Sequence, residues 1–143
     1  MTIHQISVFL ENRAGQLAEI TDILSDHRID LRALNIAETA DYGVLRLIAD
    51  KPQEAATVLL QHGVILSMTP VVAVGVPDVP GGLAKVLQRI SQAGIDVEYM
   101  YSVFGQIEGR AYMIFRVADP DRFISVLEEA GISPAAGEEL GIH

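Results

Sequence analysis

The sequence predicts an α+β fold in which one small unit, βαββαβ, occurs twice in tandem. Two observations lead there: the chain repeats itself, and each repeat runs through strand-like and helix-like periods in the same order. Ile6-Ser7-Val8-Phe9-Leu10 followed by Ala14-Gly15-Gln16-Leu17-Ala18 returns as Val72-Ala73-Val74-Gly75-Val76 followed by Pro80-Gly81-Gly82-Leu83-Ala84, an offset of 66 residues from Gly15 to Gly81. At that offset Ser25 falls on Ser91 and Ile29-Asp30 on Ile95-Asp96. Packing alone can repeat an apolar stripe, but a glycine, a serine and an aspartate kept in register imply duplication of a whole folding unit. The junction around Ser67-Met68-Thr69-Pro70 divides the chain into units 1–69 and 70–143.

In the first unit, Ile6 to Leu10 is a β-rich run ended by the turn Glu11-Asn12-Arg13-Ala14-Gly15. Leu17, Ile20, Ile23 and Leu24 then follow three-and-four spacing with Glu19, Asp22 and Asp26 on the other face, the pattern of an amphipathic helix. Asp30 to Ala37 and Gly43 to Ala49 read as two strands joined by a polar hairpin tip at Glu38-Thr39-Ala40-Asp41-Tyr42. Pro52 suits the first turn of a second helix carrying Ala55, Ala56, Leu59 and Leu60, and Gly63 suits its end. Val64 to Met68 is the last strand.

The second unit repeats the order. Strand Val71 to Val76, loop Pro77 to Gly81 and helix Gly82 to Ala93 are followed by strands Asp96 to Phe104 and Arg110 to Val117. Asp119-Pro120 is an N-cap and first-turn pair for a helix that Gly131 stops. The tail, Ser133 to His143, is expected to add a short or irregular edge strand, because Pro134 and Gly137 weaken it. In this order the crossovers put both helices of a unit on one face of an antiparallel sheet, the ferredoxin-like arrangement.

Composition narrows the function classes. Half of the 143 residues are hydrophobic, each unit is close to the lower size limit for a self-sufficient core, and a homodimer is expected to cover the surplus apolar surface. The chain has no cysteine, which removes thiolate catalysis and disulfides and fits a cytoplasmic protein. No apolar run approaches the roughly 18 residues of a membrane-spanning helix, and the N-terminus lacks the pattern of a secretory signal. A net charge of −9 repels phosphate backbones and anionic membranes, so neither direct nucleic-acid binding nor membrane binding is expected.

Catalytic constellations are missing. His4, His27, His62 and His143 never share a helix-face spacing, so no metal site is expected. None of the serines sits in a G-x-S-x-G context. Glu128-Glu129 and Glu138-Glu139 are neighbours that diverge on a helix surface. No Gly-rich dinucleotide or phosphate loop occurs, and no cofactor is implied. Tyr99, Met100 and Tyr101 read as sheet packing that can also offer an aromatic surface to another chain.

The loops after each unit's first strand stand apart. Glu11 to Gly15 and Asp78-Val79-Pro80-Gly81-Gly82 run into helix N-termini, whose free N–H groups and positive dipole end favour a carboxylate. Asp30 and Asp96, at the second strands, are expected beside these loops, where they could accept hydrogen bonds from an α-ammonium group. Donors on one side and a carboxylate on the other suit a free amino acid. The competing reading is that Gly15 and Gly81 only permit a turn and the aspartates only cap strands.

Leu10-Glu11-Asn12-Arg13-Ala14-Gly15-Gln16-Leu17, with Ile29-Asp30-Leu31 and Tyr42-Gly43-Val44-Leu45 downstream, resembles an ACT domain, the regulatory amino-acid-binding module of metabolic enzymes. Asp78-Val79-Pro80-Gly81-Gly82-Leu83 is similar to that family's Asp/Asn-x-Pro-Gly-x-Leu signature. The resemblance implies a non-catalytic tandem pair that binds a small amino acid between its repeats and signals to a metabolic enzyme or a transcription factor. It implies ligand contacts from Asn12, Arg13, Ala14, Gly15, Gln16 and Leu17 in one loop, and from Asp78, Val79, Pro80, Gly81, Gly82 and Leu83 in the other. Asp30 and Asp96 would reach the ligand from a neighbouring copy. Copy one departs from the signature with Ala14 in place of proline, and both aspartates replace an amide. Alternatives are a regulatory subunit resembling that of acetolactate synthase and a repressor resembling that of the glycine cleavage genes.

Overall fold

The computed structural model describes residues 1–11, 13–38 and 42–143; Asn12 and the expected hairpin tip at residues 39–41 lie outside them. The described residues form six strands and four α-helices in the order β1 (Ile3–Glu11), α1 (Gln16–Asp26), β2 (Leu31–Glu38), β3 (Tyr42–Ala49), α2 (Pro52–Gln61), β4 (Leu66–Pro77), α3 (Gly82–Gln92), β5 (Tyr99–Ser102), β6 (Arg110–Arg116) and α4 (Pro120–Glu129), with a 3₁₀ turn at Gly137–Leu140. They group into two compact units, one of His4–Thr69 with Leu140–His143 and the other of Pro70–Glu139 with Met1–Ile3.

In the first unit the strand order is β2-β3-β1-β4. β1 and β2 both pair antiparallel with β3, through Ile6↔Leu47 and Leu34↔Leu47 among others. The opening residues of β4 flank β1, where the Ser7 and Thr69 hydroxyls are 3.3 Å apart. Ile20 and Leu24 of α1 and Ala55 and Leu59 of α2 bury against Ile6, Val8, Leu45 and Leu47. Each such leucine or isoleucine stabilises the fold by about 1.5–3 kcal/mol relative to exposure. Pro52 stands in the first turn of α2. Gly63, at φ +77°, follows the C-cap residue His62.

In the second unit the order is β4-β6-β5. Val86 and Ile90 of α3 and Phe123 and Leu127 of α4 pack on Val72, Val74 and Phe115, with the Phe115 and Phe123 rings 5.2 Å apart. The Asp119 carboxylate accepts from Arg122 N at 3.1 Å, the cap its sequence implies.

Three local expectations are corrected. Leu66 to Met68 and Val71 to Val76 are not in separate strands but in the single strand β4, and Val64 and Ile65 precede it. The junction contains no residue that turns a chain sharply, and Pro70 is compatible with extended backbone. The strand expected over Asp96 to Phe104 shortens to Tyr99–Ser102. The tail forms no strand: it makes one bridge, Val74↔Pro134, then the 3₁₀ turn. Pro134 has no N–H to extend a ladder, and the last residues join the first unit, where His143 N donates to Asp50 O at 2.6 Å.

Candidate functional site

Each unit carries a pocket at the same place, between the end of its first strand, the first turn of its first helix and the exit from its second helix. In the first unit this pocket is about 450 Å³ and is bounded by Phe9, Glu11, Arg13, Gln16, Glu19 and the His62–Ile65 segment. In the second it is about 610 Å³ and is bounded by Gly75, Val79, Gly82, Lys85, Arg110 and Tyr112, with Gly131–Pro134 and Glu139 closing it.

The glycines before the helices have matching backbones. Gly15 at φ 87°, ψ −9° and Gly81 at φ 86°, ψ −7° are the N-cap residues of α1 and α3, and a Cβ at either would meet nothing. Their requirement is the left-handed conformation, not room. Close approach is the property of Gly82, where an added Cβ would lie 2.1 Å from Pro77 O. Gly75 is similar: a Cβ would lie 2.8 Å from the Tyr112 ring and 3.1 Å from Arg110 Nε. Its bareness lets both β6 side chains lie across β4, and Arg110 Nη2 donates to Gly75 O at 2.6 Å.

The broken tail ladder shapes the second pocket. Val103 N donates to Tyr112 O, so the Tyr112 backbone faces β5. Antiparallel geometry then turns the N–H and C=O of its partner Gly75 away from β6, towards the open edge of β4. In the first unit the matching group, Phe9 N, donates to Ile65 O at 3.1 Å. In the second unit the bridge Val74↔Pro134, with Ala135 N donating to Ala73 O at 2.8 Å, likewise turns the Gly75 N–H towards Ser133 of the tail.

Electrostatics separate the pockets. Arg13 donates twice to Glu19, at 3.0 and 2.8 Å, and approaches Glu11 at 3.6 Å. The hydrogen bond from Arg13 holds the Glu19 carboxyl below its ordinary range, and Glu19 raises the Arg13 guanidinium in return. Gln16 Oε1 accepts from Glu11 N at 2.6 Å, closing that loop on itself. In the second unit Lys85 replaces Glu19, and among the described residues no carboxylate pairs with Lys85 or Arg110. Tyr112 is only 8% exposed, and its hydroxyl has no partner among the described residues. Since no buried side-chain oxygen or nitrogen is left unpaired, that hydroxyl must open onto the pocket.

Of the sequence-inferred residues, Arg13 and Gln16 line the first pocket, and Val79, Pro80, Gly81 and Gly82 line the second. Leu17 and Leu83 pack into the cores, and Ala14 and Gly15 are exposed loop positions outside the pocket wall. Asp78 accepts from Gln106 Nε2 at 2.6 Å, and its N–H donates to Gly109 O, which ties the loop to the β5–β6 hairpin. The expectation that Asp30 and Asp96 lie beside their own unit's loop is corrected. Glu11 pairs with Tyr42 at one end of β3 and Leu31 with Ala49 at the other, a separation of about 24 Å at ~3.4 Å a residue. β6 separates the Asp96 end from the second loop in the same way, because a crossover connection returns to the starting edge of the sheet. There Asp30 accepts from Arg32 Nη1 at 3.0 Å, and its N–H donates to Asp50.

Lys85, Arg110, Tyr112 and Glu139 were not evident as site residues. The one local signal was Gly75 within a strand, which marks a close approach of another group. His27 and His62, distant in sequence, bring their rings to 6.0 Å, but each Nδ1 is 2.9 Å from the carbonyl four residues back and serves a helix end.

With this geometry in view, the chain matches the ACT domain pair family over residues 1–141. It belongs to that family. Protein BT0572 from Bacteroides thetaiotaomicron, a crystal structure, is similar at 40% identity over 99% of this chain and 96% of that one, with a TM-score of 0.91. The regulatory subunits of aspartate kinase from Thermus thermophilus and Thermus flavus share the fold at 18% identity. Their TM-scores are 0.61 and 0.54, the shares of this chain covered are 89% and 90%, and those of the subunits are 91% and 92%. A comparison with curated proteins returns no match. No helix among the described residues is long and apolar enough to cross a membrane.

Proposed function

We propose that this ACT domain pair is a non-catalytic cytoplasmic regulator that binds a free amino acid and signals occupancy to a metabolic enzyme. The observation that carries the reading is the second unit's pocket, where the N-terminus of α3, Lys85 and Arg110 offer donors and Glu139 offers an acceptor. An α-carboxylate and an α-ammonium group need those two kinds of partner. The likeness in fold to aspartate kinase regulatory subunits supports a role beside an amino-acid biosynthetic enzyme. Asp30 and Asp96 enter only as groups that a neighbouring copy could offer. Occupancy would act by population shift, limited to the ligand's differential affinity for two arrangements.

The test is a thermal-shift screen of the twenty amino acids on the full chain, since a native-state ligand at about 100 times its Kd stabilises by ~2.7 kcal/mol. At least one should raise the melting temperature, and none doing so at millimolar concentration refutes the reading. A homodimer is part of the proposal, supported by the exposed apolar side chains of Phe9, Ile36, Tyr42 and Phe104. Sedimentation at tens of micromolar should find the dimer; a monomer with and without amino acids would remove that part alone.

A further inference from the structure

Resting on the reading that the second unit's pocket takes a free amino acid, we infer that its ligand is a dicarboxylic α-amino acid of the aspartate or glutamate kind. The pocket wall carries two cations, Lys85 and Arg110, and one carboxylate, Glu139. Neutral groups beside them can also donate: the first-turn N–H groups of α3 and the Tyr112 hydroxyl. Arg110 spends one N–H on Gly75 O, and a guanidinium has five. Among the charged groups of this wall, cations therefore outnumber carboxylates two to one.

A zwitterion with a neutral side chain brings one carboxylate and one ammonium group, which leaves a cation of the wall unmatched. A dicarboxylic amino acid brings two carboxylates and one ammonium, the complement of two cations and one carboxylate. Desolvating the second carboxylate is costly unless charge-assisted hydrogen bonds replace its water, and this wall can supply them. The equivalent wall of the first unit cannot, because Arg13 is already held by Glu19 and Glu11. Tyr112 adds a group of its own: its ring is buried beneath the pocket, and its hydroxyl, which has no partner among the described residues, opens onto the pocket and is available to a ligand.

Titration calorimetry on the full chain would compare L-aspartate and L-glutamate with L-asparagine and L-glutamine, which keep the shape and lose the charge. The better acid should bind at least about 10-fold more tightly than its amide, the difference of one charge-assisted contact. Lys85→Gln should reduce that preference to within about 3-fold while the melting temperature of the unliganded chain stays constant, because Lys85 is exposed and makes no ion pair among the described residues. Tyr112→Phe should weaken acid binding about 5- to 10-fold, the loss of one hydrogen bond. Amides binding as tightly as acids would overturn the inference and leave amino-acid binding standing. An acid preference that survives both substitutions would place the ligand elsewhere and also overturn it. Binding by no amino acid at all would remove the underlying reading and this one together.

Discussion

Gly15 and Gly81 cap their helices with backbone angles that agree within a few degrees, and α1 and α3 occupy equivalent positions at the offset of 66 residues. The pockets beside them nevertheless differ at almost every lining side chain. Phe9 faces Gly75 across the repeat, Glu11 faces Pro77, Arg13 faces Val79, Gln16 faces Gly82 and Glu19 faces Lys85. The changes come in matched sets. Gln16 bridges to the Glu11 N–H in the first unit; in the second, Pro77 has no N–H to bridge and Gly82 has no side chain to bridge it. Arg13 and Glu19 satisfy each other; Val79 and Lys85 cannot. Duplication kept what the backbone needs, and the first unit then filled its pocket from within while the second left its own open.

The largest effect expected from breaking this contrast is at Gly82. Gly82→Ala would place a methyl group 2.1 Å from Pro77 O, a backbone atom that cannot swing aside. Urea unfolding should show destabilisation of about 3 kcal/mol, the upper range for forced overpacking. Gln16→Ala, at the matching position, only returns the Glu11 N–H to water and should cost about 1 kcal/mol or less. Equal costs at the two positions would mean the loops are not built differently. Next comes Gly75→Ala, which pushes on the Tyr112 ring and Arg110. It should destabilise by about 1–2 kcal/mol and weaken ligand binding on the order of 10-fold, read by calorimetry on the folded variant. Retained affinity would show that Tyr112 and Arg110 need not hold their places.

The parts of this contrast that sequence could disclose were backbone ones. The offset from Gly15 to Gly81, the apolar spacing of α1 and α3, and the Asp119-Pro120 cap all depend on neighbours a few residues away, and the ferredoxin-like order of elements followed from them. The pocket depends on contacts between distant residues. Tyr112 and Arg110 reach Gly75 across the β4–β6 register, and Glu139 comes from a tail whose bridge at Pro134 is single. Asp30 was misplaced because adjacency to a loop was assumed where a crossover carries the chain to the opposite end of the sheet. The fusion of two expected strands into β4 was hidden for a related reason: extended residues on either side of Pro70 carry no local mark of whether they form one strand or two.

A smaller effect is expected where the repeats end their first helices. Arg28 holds φ +56° and its equivalent Gly94 φ +70°, so the first unit keeps a side chain in a conformation that costs an L-residue about 1–2 kcal/mol. Arg28→Gly should therefore stabilise the chain by roughly 0.5–1 kcal/mol after the extra chain entropy of glycine in the unfolded state is subtracted. Gly94→Ala should destabilise by about 1 kcal/mol. Urea midpoints decide it, and a destabilised Arg28→Gly would mean the arginine side chain contributes more than its backbone strain costs.

The smallest effect concerns the ion pair that fills the first pocket. Arg13 holds the Glu19 carboxyl below its ordinary range, chiefly through their hydrogen bond. Between its folded and unfolded pKa values the unfolded chain therefore binds more protons at this site than the folded one. The resulting stabilisation is present above the unfolded value and fades as pH falls through the folded one. Both side chains are about half exposed, so the contribution is small and weakened by salt. Arg13→Ala should flatten the acid limb of a stability-against-pH curve slightly, at low salt more than at high. Glu19→Lys asks more of the same pair. It gives the first unit the residue the second has at that position and frees Arg13 from its main partner, so the pocket changes from self-neutralised to cationic. If an unpaired cation pair is what separates the two pockets, this variant should regain a preference for L-glutamate over L-glutamine in titrations on the Lys85→Gln background, where the second pocket has lost most of its own. Failure to do so, with the fold intact, would assign the difference to Phe9 and Gln16, which still occupy space that Gly75 and Gly82 leave clear.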